Sequence, residues 1–336
     1  MFTESTYENA VIQLFEGMGY THIYAPEMGR EDFSDPLMDG VLRDALVRIN
    51  RGLPLEAIGE ALSKIRNFDG GSLIEKNRTF TEYLQNGVEV NYAADGETRS
   101  ALVRLVDFEK VENNKFAVVN QYTYIENGNN RRPDIILFVN GLPLVLMELK
   151  SPAKEDAGVE DAYNQLRNYI QDIPSMFIYN AICVISDLSA NRAGTITSGL
   201  DRFMDWKTKD GRYENTAYAQ FDTFYEGMFP KERLLDILKN FICFSGDAQK
   251  PIKILAGYHQ YFAVRKAVEK AVVATSTDGK GGVFWHTQGS GKSLSMVFYA
   301  HLLQEVLHSP TIVVMTDRID LDYQLYAQFC KCADFL

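Results

Sequence analysis

Apolar residues follow a helical spacing in the first part of the chain and a strand-like spacing further on. Near the N-terminus they recur every three or four positions, at Val11, Leu14, Phe15 and Met18. Ser5-Thr6-Tyr7-Glu8 has the form of a capping box that would open this helix. The same spacing predicts two further helices, at 40–50 and 55–66.

From residue 88 to residue 149 the pattern changes to short apolar runs separated by turn residues. The predicted strands are 88–90, 101–108, 116–123, 134–139 and 143–149. The turn signals are Asp95-Gly96, Asn113-Asn114 and Asn140-Gly141. A helix at 157–170 and a strand at 177–186 follow. This alternation predicts a mixed α/β domain around a central sheet.

After an amphipathic helix at 231–241 the pattern changes again. From residue 252 it predicts a helix, a strand at 282–286, a glycine loop, a helix at 293–306 and a strand at 311–315. This is the opening βαβ unit of a parallel-sheet, nucleotide-binding domain. We therefore predict a first domain over 1–230, a connecting helix and linker over 231–255, and the first part of a motor domain over 256–336.

Composition narrows the class of protein. Hydrophobic residues make up 46% and charged residues 24%, which suits a folded chain with a sizeable core. No apolar run approaches the ~18 residues of a membrane span, and the N-terminus lacks a signal-peptide pattern. We therefore expect a cytoplasmic protein with no membrane contact. Four cysteines without a CxxC spacing argue against structural zinc.

The net charge of −11 argues against a protein that simply coats DNA, because phosphate binding depends on lysine and arginine. If the chain acts on DNA, its basic groups must be local, or partner subunits must supply much of the grip.

Polar residues interrupt the apolar strands at one end of the predicted sheet. Asp134, after Pro133, starts one strand, and Glu148-Leu149-Lys150 ends the next. Glu148 and Lys150 are two apart and share a face, whereas Leu149 points into the apolar layer. Two carboxylates beside a lysine suit phosphodiester hydrolysis assisted by Mg²⁺, which the carboxylates and a backbone carbonyl would hold. The lysine would orient the attacking water or stabilise the transition state.

The connection at Asn140-Gly141 decides whether the two carboxylates meet. A simple two-residue loop would pair Asp134 with Met147 and leave Glu148 on the opposite face. A three-residue loop with its glycine in the left-handed region, or one β-bulge, would bring both carboxylates together. Pro143 cannot donate to the ladder, so we predict that this hairpin is not a simple two-residue one.

Other polar residues could complete the site. Gln165 and Tyr169 share one face of the predicted helix and could contact the DNA backbone or support the metal site. Glu8 could reach the metal from the first helix, although a capping role is sufficient to explain it. Plainer explanations stay open, since surface strands often carry Glu and Lys at alternate positions and Gln165 and Tyr169 would suit an ordinary half-exposed helix.

Residues 286–293, His-Thr-Gln-Gly-Ser-Gly-Lys-Ser, match the phosphate-binding loop G-x-x-x-x-G-K-[ST] except that His286 replaces the first glycine. The loop Gly289-Ser290-Gly291 would let backbone N–H groups wrap the β-phosphate. Lys292 would reach the β- and γ-phosphates, and Ser293 would bind Mg²⁺. Upstream, Gln260 could read the adenine edge through its amide.

The rest of the motor is less complete. Thr316-Asp317-Arg318 follows the second motor strand and could contact a DNA backbone, or it could be a solvated turn with an Asp–Arg pair. No Asp-Glu pair resembling a Walker B strand follows Ser293. We therefore expect this chain to bind ATP weakly, not to turn it over alone, and to be part of a longer motor.

The order of these motifs resembles the restriction (R) subunit of type I restriction-modification enzymes across essentially the whole chain. The motifs that carry the resemblance are Arg132-Pro133-Asp134, Asn140-Gly141-Leu142-Pro143, Glu148-Leu149-Lys150, Gln165-x-x-x-Tyr169, His259-Gln260, the loop at 286–293 and Thr316-Asp317-Arg318. The histidine at position 286 is typical of that family.

The resemblance implies a PD-(D/E)xK (RecB-like) nuclease domain followed by the start of a RecA-like P-loop motor of superfamily 2. Asp134 and Glu148 would be metal ligands and Lys150 the catalytic lysine, and Gln165 and Tyr169 would complete the nuclease motif. Gln260 would sense adenine, and Thr316-Asp317-Arg318 would be the motor element termed Ia. The implied partners are double-stranded DNA and the methyltransferase and specificity subunits that read its sequence. An acidic chain could then still be held on DNA, and the nuclease itself would not read sequence.

Two other functions stay open. The first is a repair-type helicase fragment whose nuclease-like domain only binds DNA, and the absence of Mg²⁺ or Mn²⁺ binding near Glu148 would identify it. The second is a docking fragment whose partial motor serves assembly. Co-purification with a methyltransferase complex, without nuclease activity, would identify that function.

Overall fold

The structure is a computed structural model, and it describes residues 4–94, 96–150, 158–212, 221–246 and 251–336. The helices, numbered in chain order, are α1 Glu4–Gly17, α2 Asp39–Ile49, α3 Leu55–Arg66, α4 Leu73–Asn86, α5 Val159–Asp172, α6 Pro174–Phe177, α7 Phe221–Met228, α8 Lys231–Asn240, α9 Tyr258–Ala274, α10 Lys292–Val306 and α11 Ile319–Lys331. The strands are β1 Thr21–Tyr24, β2 Val88–Ala94, β3 Glu97–Val103, β4 Phe116–Asn120, β5 Tyr124–Glu126, β6 Asn129–Arg131, β7 Ile135–Val139, β8 Leu142–Leu149, β9 Ile182–Ser186, β10 Asn191–Gly194, β11 Ile242–Ser245 and β12 Ile252–Leu255. In the part of the chain so described, every helix is too short or too polar to cross a lipid bilayer.

A six-stranded mixed sheet forms the centre of the first part of the molecule. Its strand order is β1-β4-β7-β8-β9-β10, with β1–β4 and β8–β9 parallel and the other pairs antiparallel. The strands β7, β8 and β9 are buried along their whole length, so their sequences are apolar runs that do not alternate with polar residues, apart from Glu148 and Ser186 near the ends of β8 and β9. The prediction of a mixed α/β fold around a central mixed sheet is confirmed.

Helices cover both faces of this sheet. Val11 and Phe15 of α1 belong to the apolar cluster on one face, together with Met147 of β8. Leu166 of α5 belongs to the cluster on the other face, together with Leu146. Successive strand residues point to opposite faces, so the α5 face also receives the side chains two positions along from Leu146, at the open end of β8.

The beginning of α1 differs from the prediction. The helix begins at Glu4, so Ser5 lies inside the helix and not at its N-cap. The carboxylate of Glu8, which the predicted capping box would use, instead accepts hydrogen bonds from the side chains of Asn120 and Gln121. The predicted capping box is therefore wrong, because tertiary partners from the sheet compete for that carboxylate.

Several strands and helices have other bounds than predicted. The strand predicted at 101–108 ends at Val103, and the strand predicted at 177–186 begins only at Ile182, after the short helix α6. The hairpin β11–β12 lies within 231–255, and α8 matches the helix predicted at 231–241. Side-chain burial in three dimensions, which a local pattern does not report, sets these limits.

The two strands predicted beside the phosphate-binding loop, at 282–286 and 311–315, do not form. A strand requires hydrogen bonds to a neighbouring strand, and neither segment has one among the described residues. Their apolar side chains are consequently exposed, with Val283 at 95% and Met315 at 90% relative exposure. The helices α9, α10 and α11 form around the same region, so the helical part of the predicted unit is present without its sheet.

Candidate functional site

The turn between β7 and β8 is fixed by its own backbone and by a buried amide. Asn140 and Gly141 both have positive φ, 53° and 84°, as the two central residues of a type I′ turn require. The buried Asn140 side chain donates to Leu105 O at 3.1 Å and accepts from Lys115 N at 2.8 Å. The turn itself therefore has two residues and little freedom to slip.

A β-bulge directly after this turn restores the register. Val139 pairs with Leu142 and Phe138 with Pro143, but Leu137 pairs with Val145, so Leu144 is the extra residue. Beyond the bulge Ile135 pairs with Met147, and extending this register by one residue places Asp134, which lies directly before β7, opposite Glu148. The prediction that this hairpin is not a simple two-residue one is confirmed, and the irregularity is a bulge in β8.

The polar residues at the open end of β7 and β8 form one hydrogen-bonded cluster. Asp134 Oδ2 accepts from the backbone N–H of Leu149 at 2.7 Å. Lys150 Nζ lies 2.7 Å from Glu148 Oε1 and 2.5 Å from Gln165 Oε1. Gln165 Nε2 in turn donates to the hydroxyl of Tyr169 at 2.6 Å. The two helix residues thus direct the lysine ammonium, while the Asp134 carboxylate lies close enough to Glu148 to raise its pKa.

The electrostatic environment of Glu148 is the unusual feature of this cluster. Its side chain has no exposed surface, and burial together with the nearby Asp134 carboxylate raises the pKa of Glu148 to about 8, against the lowering effect of Lys150. Burial also raises the pKa of the Tyr169 hydroxyl, with the charge of Glu148 as the next cause. Glu148 Oε2 is buried and has no close hydrogen-bond partner among the described residues, while the Tyr169 hydroxyl lies near this carboxylate and acts to lower its pKa.

These features fit a divalent cation of the Mg²⁺ class. A buried carboxylate oxygen without a partner costs free energy, and a hard cation shared with a second carboxylate would satisfy it. No group of three or more His, Cys, Asp or Glu side chains suited to a metal occurs among the described residues. Two carboxylates are nevertheless enough for Mg²⁺, which usually keeps several water ligands.

Glu8 lies outside this cluster. Both of its oxygens are bonded to amides, Oε1 by Asn120 at 2.6 Å and Oε2 by Gln121 at 3.0 Å. It belongs to α1, which packs on the face of the sheet opposite to that of α5. The link to the cluster is indirect, through the backbone N–H of Gln121, which donates to Asp134 O at 3.4 Å. Nothing in the local sequence marks Gln121 for this position.

The loop at 286–293, predicted to bind phosphate, is built on two left-handed glycines. Gly289 and Gly291 have φ of 81° and 78°, and α10 begins directly after Gly291, which is its N-cap. Gln260 of α9 holds this end of the loop, because its Oε1 accepts from Gly257 N at 2.9 Å and its Nε2 donates to Gly291 O at 3.2 Å. The left-handed φ favours glycine at position 291, and a Cβ there would also lie 2.7 Å from Gln260 Nε2, so the glutamine side chain would have to move.

Lys292 closes the loop on itself. Its ammonium donates to the carbonyl oxygens of His286 and Thr287, both at 2.9 Å, whereas Ser293 is exposed at the first turn of α10. A nucleotide phosphate at the N-terminus of α10 would have to draw the ammonium away from these two carbonyls. Ser290 Oγ and His286 Nδ1 are buried without hydrogen-bond partners in the described part of the chain, which leaves two polar atoms for a ligand.

A cavity of about 560 Å³ lies beside this loop. It is lined by Lys207, Thr208, Gly211, Arg212, Tyr258, His259, Phe262, Ala263, Lys266 and His286. Aromatic rings together with cationic side chains suit a nucleotide base and its phosphates. Thr316-Asp317-Arg318 lies in the segment before α11, where the hydroxyl of Thr316 donates to Arg318 O at 3.4 Å.

Comparison with known proteins gives two family matches and several relatives. The family model described as type I restriction enzyme R protein N terminus matches residues 1–202, and a SWI2/SNF2 ATPase model matches residues 259–335. The type I restriction enzyme HindI endonuclease subunit of Haemophilus influenzae is 40% identical over the whole of this chain, which corresponds to 33% of that relative. The putative type I restriction enzyme MjaIXP endonuclease subunit of Methanocaldococcus jannaschii is 34% identical over 96% of this chain and 33% of its own length.

The chain thus spans about a third of the length of the curated relatives it matches. The first family model nevertheless covers more than half of the 336 residues, including α1 to α5 and the whole six-stranded sheet. This chain therefore belongs to the family of type I restriction enzyme R protein N-terminal regions.

Proposed function

We propose that this chain is the DNA-cleaving and ATP-binding part of the R subunit of a type I restriction enzyme. The observation that carries the proposal is the cluster at the end of β7 and β8, where Asp134 accepts from Leu149 N and lies close enough to Glu148 to raise its pKa, and where Lys150 is bonded to Glu148 and Gln165. The names of the relatives, all of them endonuclease subunits, support the same conclusion. Cleavage of double-stranded DNA without sequence reading, and the partner subunits, are part of this proposal.

We assign the first domain to the PD-(D/E)xK (RecB-like) nucleases. Asp134, Glu148 and a backbone carbonyl beside them would hold Mg²⁺, which would supply an activated water and neutralise charge on the phosphate. Lys150 is kept in place by Glu148 and Gln165 and can donate to the attacking water or to a phosphate oxygen. The hydrogen bond from Gln165 to Tyr169 sets the direction of the glutamine carbonyl that holds the lysine.

We assign the loop at 286–293 to nucleotide binding. The SWI2/SNF2 ATPase match and the loop geometry around Gly289 and Gly291 support ATP as the ligand, with Lys292 and Ser293 at its phosphates and Gln260 toward the base. A superfamily 2 translocase would then move double-stranded DNA, while methyltransferase and specificity subunits read its sequence. We place the domains at 1–230 and 256–336, joined by 231–255.

The decisive experiment uses the complete R subunit that contains this chain, assembled with its methyltransferase and specificity subunits. We expect Asp134→Asn and Lys150→Ala to lower DNA cleavage by about 100-fold or more, with ATP hydrolysis retained, because they remove charge stabilisation at the phosphate. Glu160→Gln, an exposed carboxylate in the first turn of α5, is the matched control and should cut normally. Normal cutting by either site variant would refute the nuclease assignment.

Two further measurements separate the halves of the proposal. Lys292→Ala should abolish ATP hydrolysis and therefore cleavage, and an unchanged ATPase would contradict the assignment of the phosphate-binding loop. Calorimetric titration of Mn²⁺ into the chain should show binding that Glu148→Gln removes. If the parent chain bound no metal, the first domain would be a DNA-binding module and not a nuclease.

A further inference from the structure

Lys253 of β12 is a buried lysine that belongs to neither proposed site. Its side chain is 2% exposed, and its ammonium donates to Asn77 Oδ1 at 2.9 Å, Thr81 Oγ1 at 3.2 Å and Asn180 O at 2.8 Å. Three acceptors match the three N–H groups of an ammonium. Burial lowers the pKa of Lys253 to about 7, so this amine is held at a free-energy cost that only good hydrogen bonds offset.

The peptide group between Asn180 and Ala181 connects this lysine to the nuclease sheet. Asn180 O accepts from Lys253, and the N–H of Ala181, in the same rigid peptide unit, donates to Leu144 O at 2.7 Å. Leu144 is the bulge residue of β8 that brings Glu148 opposite Asp134. A shift of the ammonium would therefore act on the one irregularity that sets the geometry of the two carboxylates.

The backbone of Lys253 is fixed as firmly as its side chain. Its carbonyl accepts from the hydroxyls of Thr195 and Thr197 at 2.9 and 3.1 Å, and its N–H donates to Thr197 Oγ1 at 3.0 Å. The chain then runs through Ala256, whose N–H donates to Phe241 O at 3.0 Å, into α9. β12 and the start of α9 therefore have little freedom to move relative to each other.

The other end of the path is the phosphate-binding loop. Gln260, in the first turn of α9, joins Gly257 N to Gly291 O. A phosphate at the N-terminus of α10 would change the position or the partner of Gly291 and hence of Gln260. That change would reach Lys253 through the short segment 253–260, which is hydrogen-bonded at both ends.

We propose that Lys253 is a positioning residue that couples nucleotide binding at the phosphate loop to the bulge beneath the carboxylates Asp134 and Glu148. The coupling rests on the proposed function, because both sites are assigned there. Lys253 touches neither site and acts through the Asn180–Ala181 peptide. The contacts from Gly291 to Leu144 form a continuous physical path, and the coupling itself is what an experiment must measure.

The test is hydrogen–deuterium exchange of the whole chain, with and without ADP at constant Mg²⁺. In the parent, ADP should slow amide exchange in β8 and β9 by about fivefold or more, the lower range of allosteric coupling. Lys253→Met keeps the shape of the buried side chain but donates no hydrogen bonds, so it should bind ADP and lose this slowing. Lys270→Met, an exposed lysine of α9, is the control and should behave like the parent.

A second pair of variants guards against misfolding of Lys253→Met. Thr81→Val removes one acceptor and should weaken the ADP effect on β8, whereas Thr81→Ser retains the hydroxyl and should preserve it. ADP affinity is measured separately with a fluorescent analogue. If the parent binds ADP without slower exchange in β8, or if Lys253→Met and Thr81→Val respond fully, the coupling is refuted and the proposed function stands. If the parent binds no ADP, both fail.

Discussion

At the scale of single residues, Glu148 shows how competing effects decide the state of an acid. Lys150 lies 2.7 Å from one of its oxygens and favours the ionised form, but burial and the facing Asp134 favour the protonated form and outweigh the lysine. Its pKa of about 8 therefore lies above its ordinary value of 4.5. An acid poised in this way loses its proton readily only when a cation arrives, which suits a metal ligand better than a structural ion pair.

Replacing Glu148 should stabilise the metal-free chain, and more so at high pH. The folded state holds the proton more tightly than the unfolded state does, so the stability from Glu148 is fully present below pH 4.5 and is lost as pH rises through about 8. With EDTA present, we expect Glu148→Gln to raise the free energy of unfolding by about 1–3 kcal/mol at pH 9. One unit of pKa shift corresponds to ~1.4 kcal/mol, and the loss of the ion pair between Glu148 and Lys150 offsets part of the gain in stability. At pH 5 the gain should nearly vanish.

Thermal unfolding of both proteins at pH 5 and pH 9 measures this difference, with Glu160→Gln as the exposed control. A gain that is the same at both pH values, or larger at pH 5, would show that Glu148 is not held protonated in the folded chain.

The residues of the carboxylate cluster could be named from the sequence because their relations are local. Glu148 and Lys150 share a strand face, and Gln165 and Tyr169 share a helix face, whatever the rest of the fold does. Lys253 could not be found in this way. Its acceptors Asn77 and Asn180 lie 176 and 73 positions away in the chain, and no local pattern marks a lysine for burial.

At the scale of elements, the β7–β8 hairpin depends on close backbone approach as well as on turn type. Gly141 has a φ of 84°, and a Cβ there would lie 2.8 Å from Met38 O and 3.0 Å from Leu42 N, both backbone atoms of the neighbouring α2 region. Gly128, in the turn between β5 and β6, has a nearly equal φ of 81° with open space around it. A comparison of alanine substitutions at Gly128 and Gly141 therefore separates the cost of backbone strain from the cost of steric contact.

We expect Gly128→Ala to cost about 1 kcal/mol of stability, the strain of a left-handed alanine, and Gly141→Ala to cost about 3 kcal/mol or more. The additional loss reflects the displacement that α2 must make to admit the methyl group. Urea unfolding of the two variants beside the parent gives both values. Equal losses would mean that the approach of α2 to the turn is not needed for stability.

The pattern of apolar residues predicted the buried strands of the main sheet well and the motor strands badly. β7 and β8 carry apolar residues that meet partner strands on both sides. The segments at 282–286 and 311–315 have the same texture but no partner strand among the described residues. Sequence patterns report the tendency of a segment to be extended and apolar, whereas strand formation also depends on a neighbouring strand. The hairpin β11–β12 was not predicted, yet its two strands form because they pair with each other.

At the scale of the whole molecule, α8 connects the sheet domain to α9 through one partly buried acid. Asp236 Oδ2 accepts from Arg265 Nε at 2.7 Å and from the Tyr261 hydroxyl at 2.9 Å. The side chains of Asp236 and Arg265 are only 16% and 32% exposed. Trp206 packs against α9, with its ring 5.7 Å from that of Tyr261, so its fluorescence reports on the contact between α8 and α9.

Asp236→Ala should destabilise the chain by about 2–4 kcal/mol, because it leaves a partly buried guanidinium and a tyrosine hydroxyl without their acceptor. Asp222→Ala removes an exposed partner of Lys209, with side chains 38% and 41% exposed, and should cost less than about 1 kcal/mol. Tryptophan fluorescence during urea unfolding follows both. If the two variants lost similar amounts of unfolding free energy, the stabilising role of Asp236 would be contradicted.

The extra residue at Leu144 makes the β7–β8 hairpin sensitive to odd changes of length. Inserting or deleting a single residue between the turn and Glu148 would rotate the acid to the side of the sheet that α1 covers, whereas a change of two would return it to its place. Length variation among proteins that share this hairpin should therefore occur in steps of two residues. A one-residue deletion should abolish DNA cleavage and leave ATP binding unchanged. The parity of the number of residues between the turn and Glu148 thus decides which face of the sheet carries this acid.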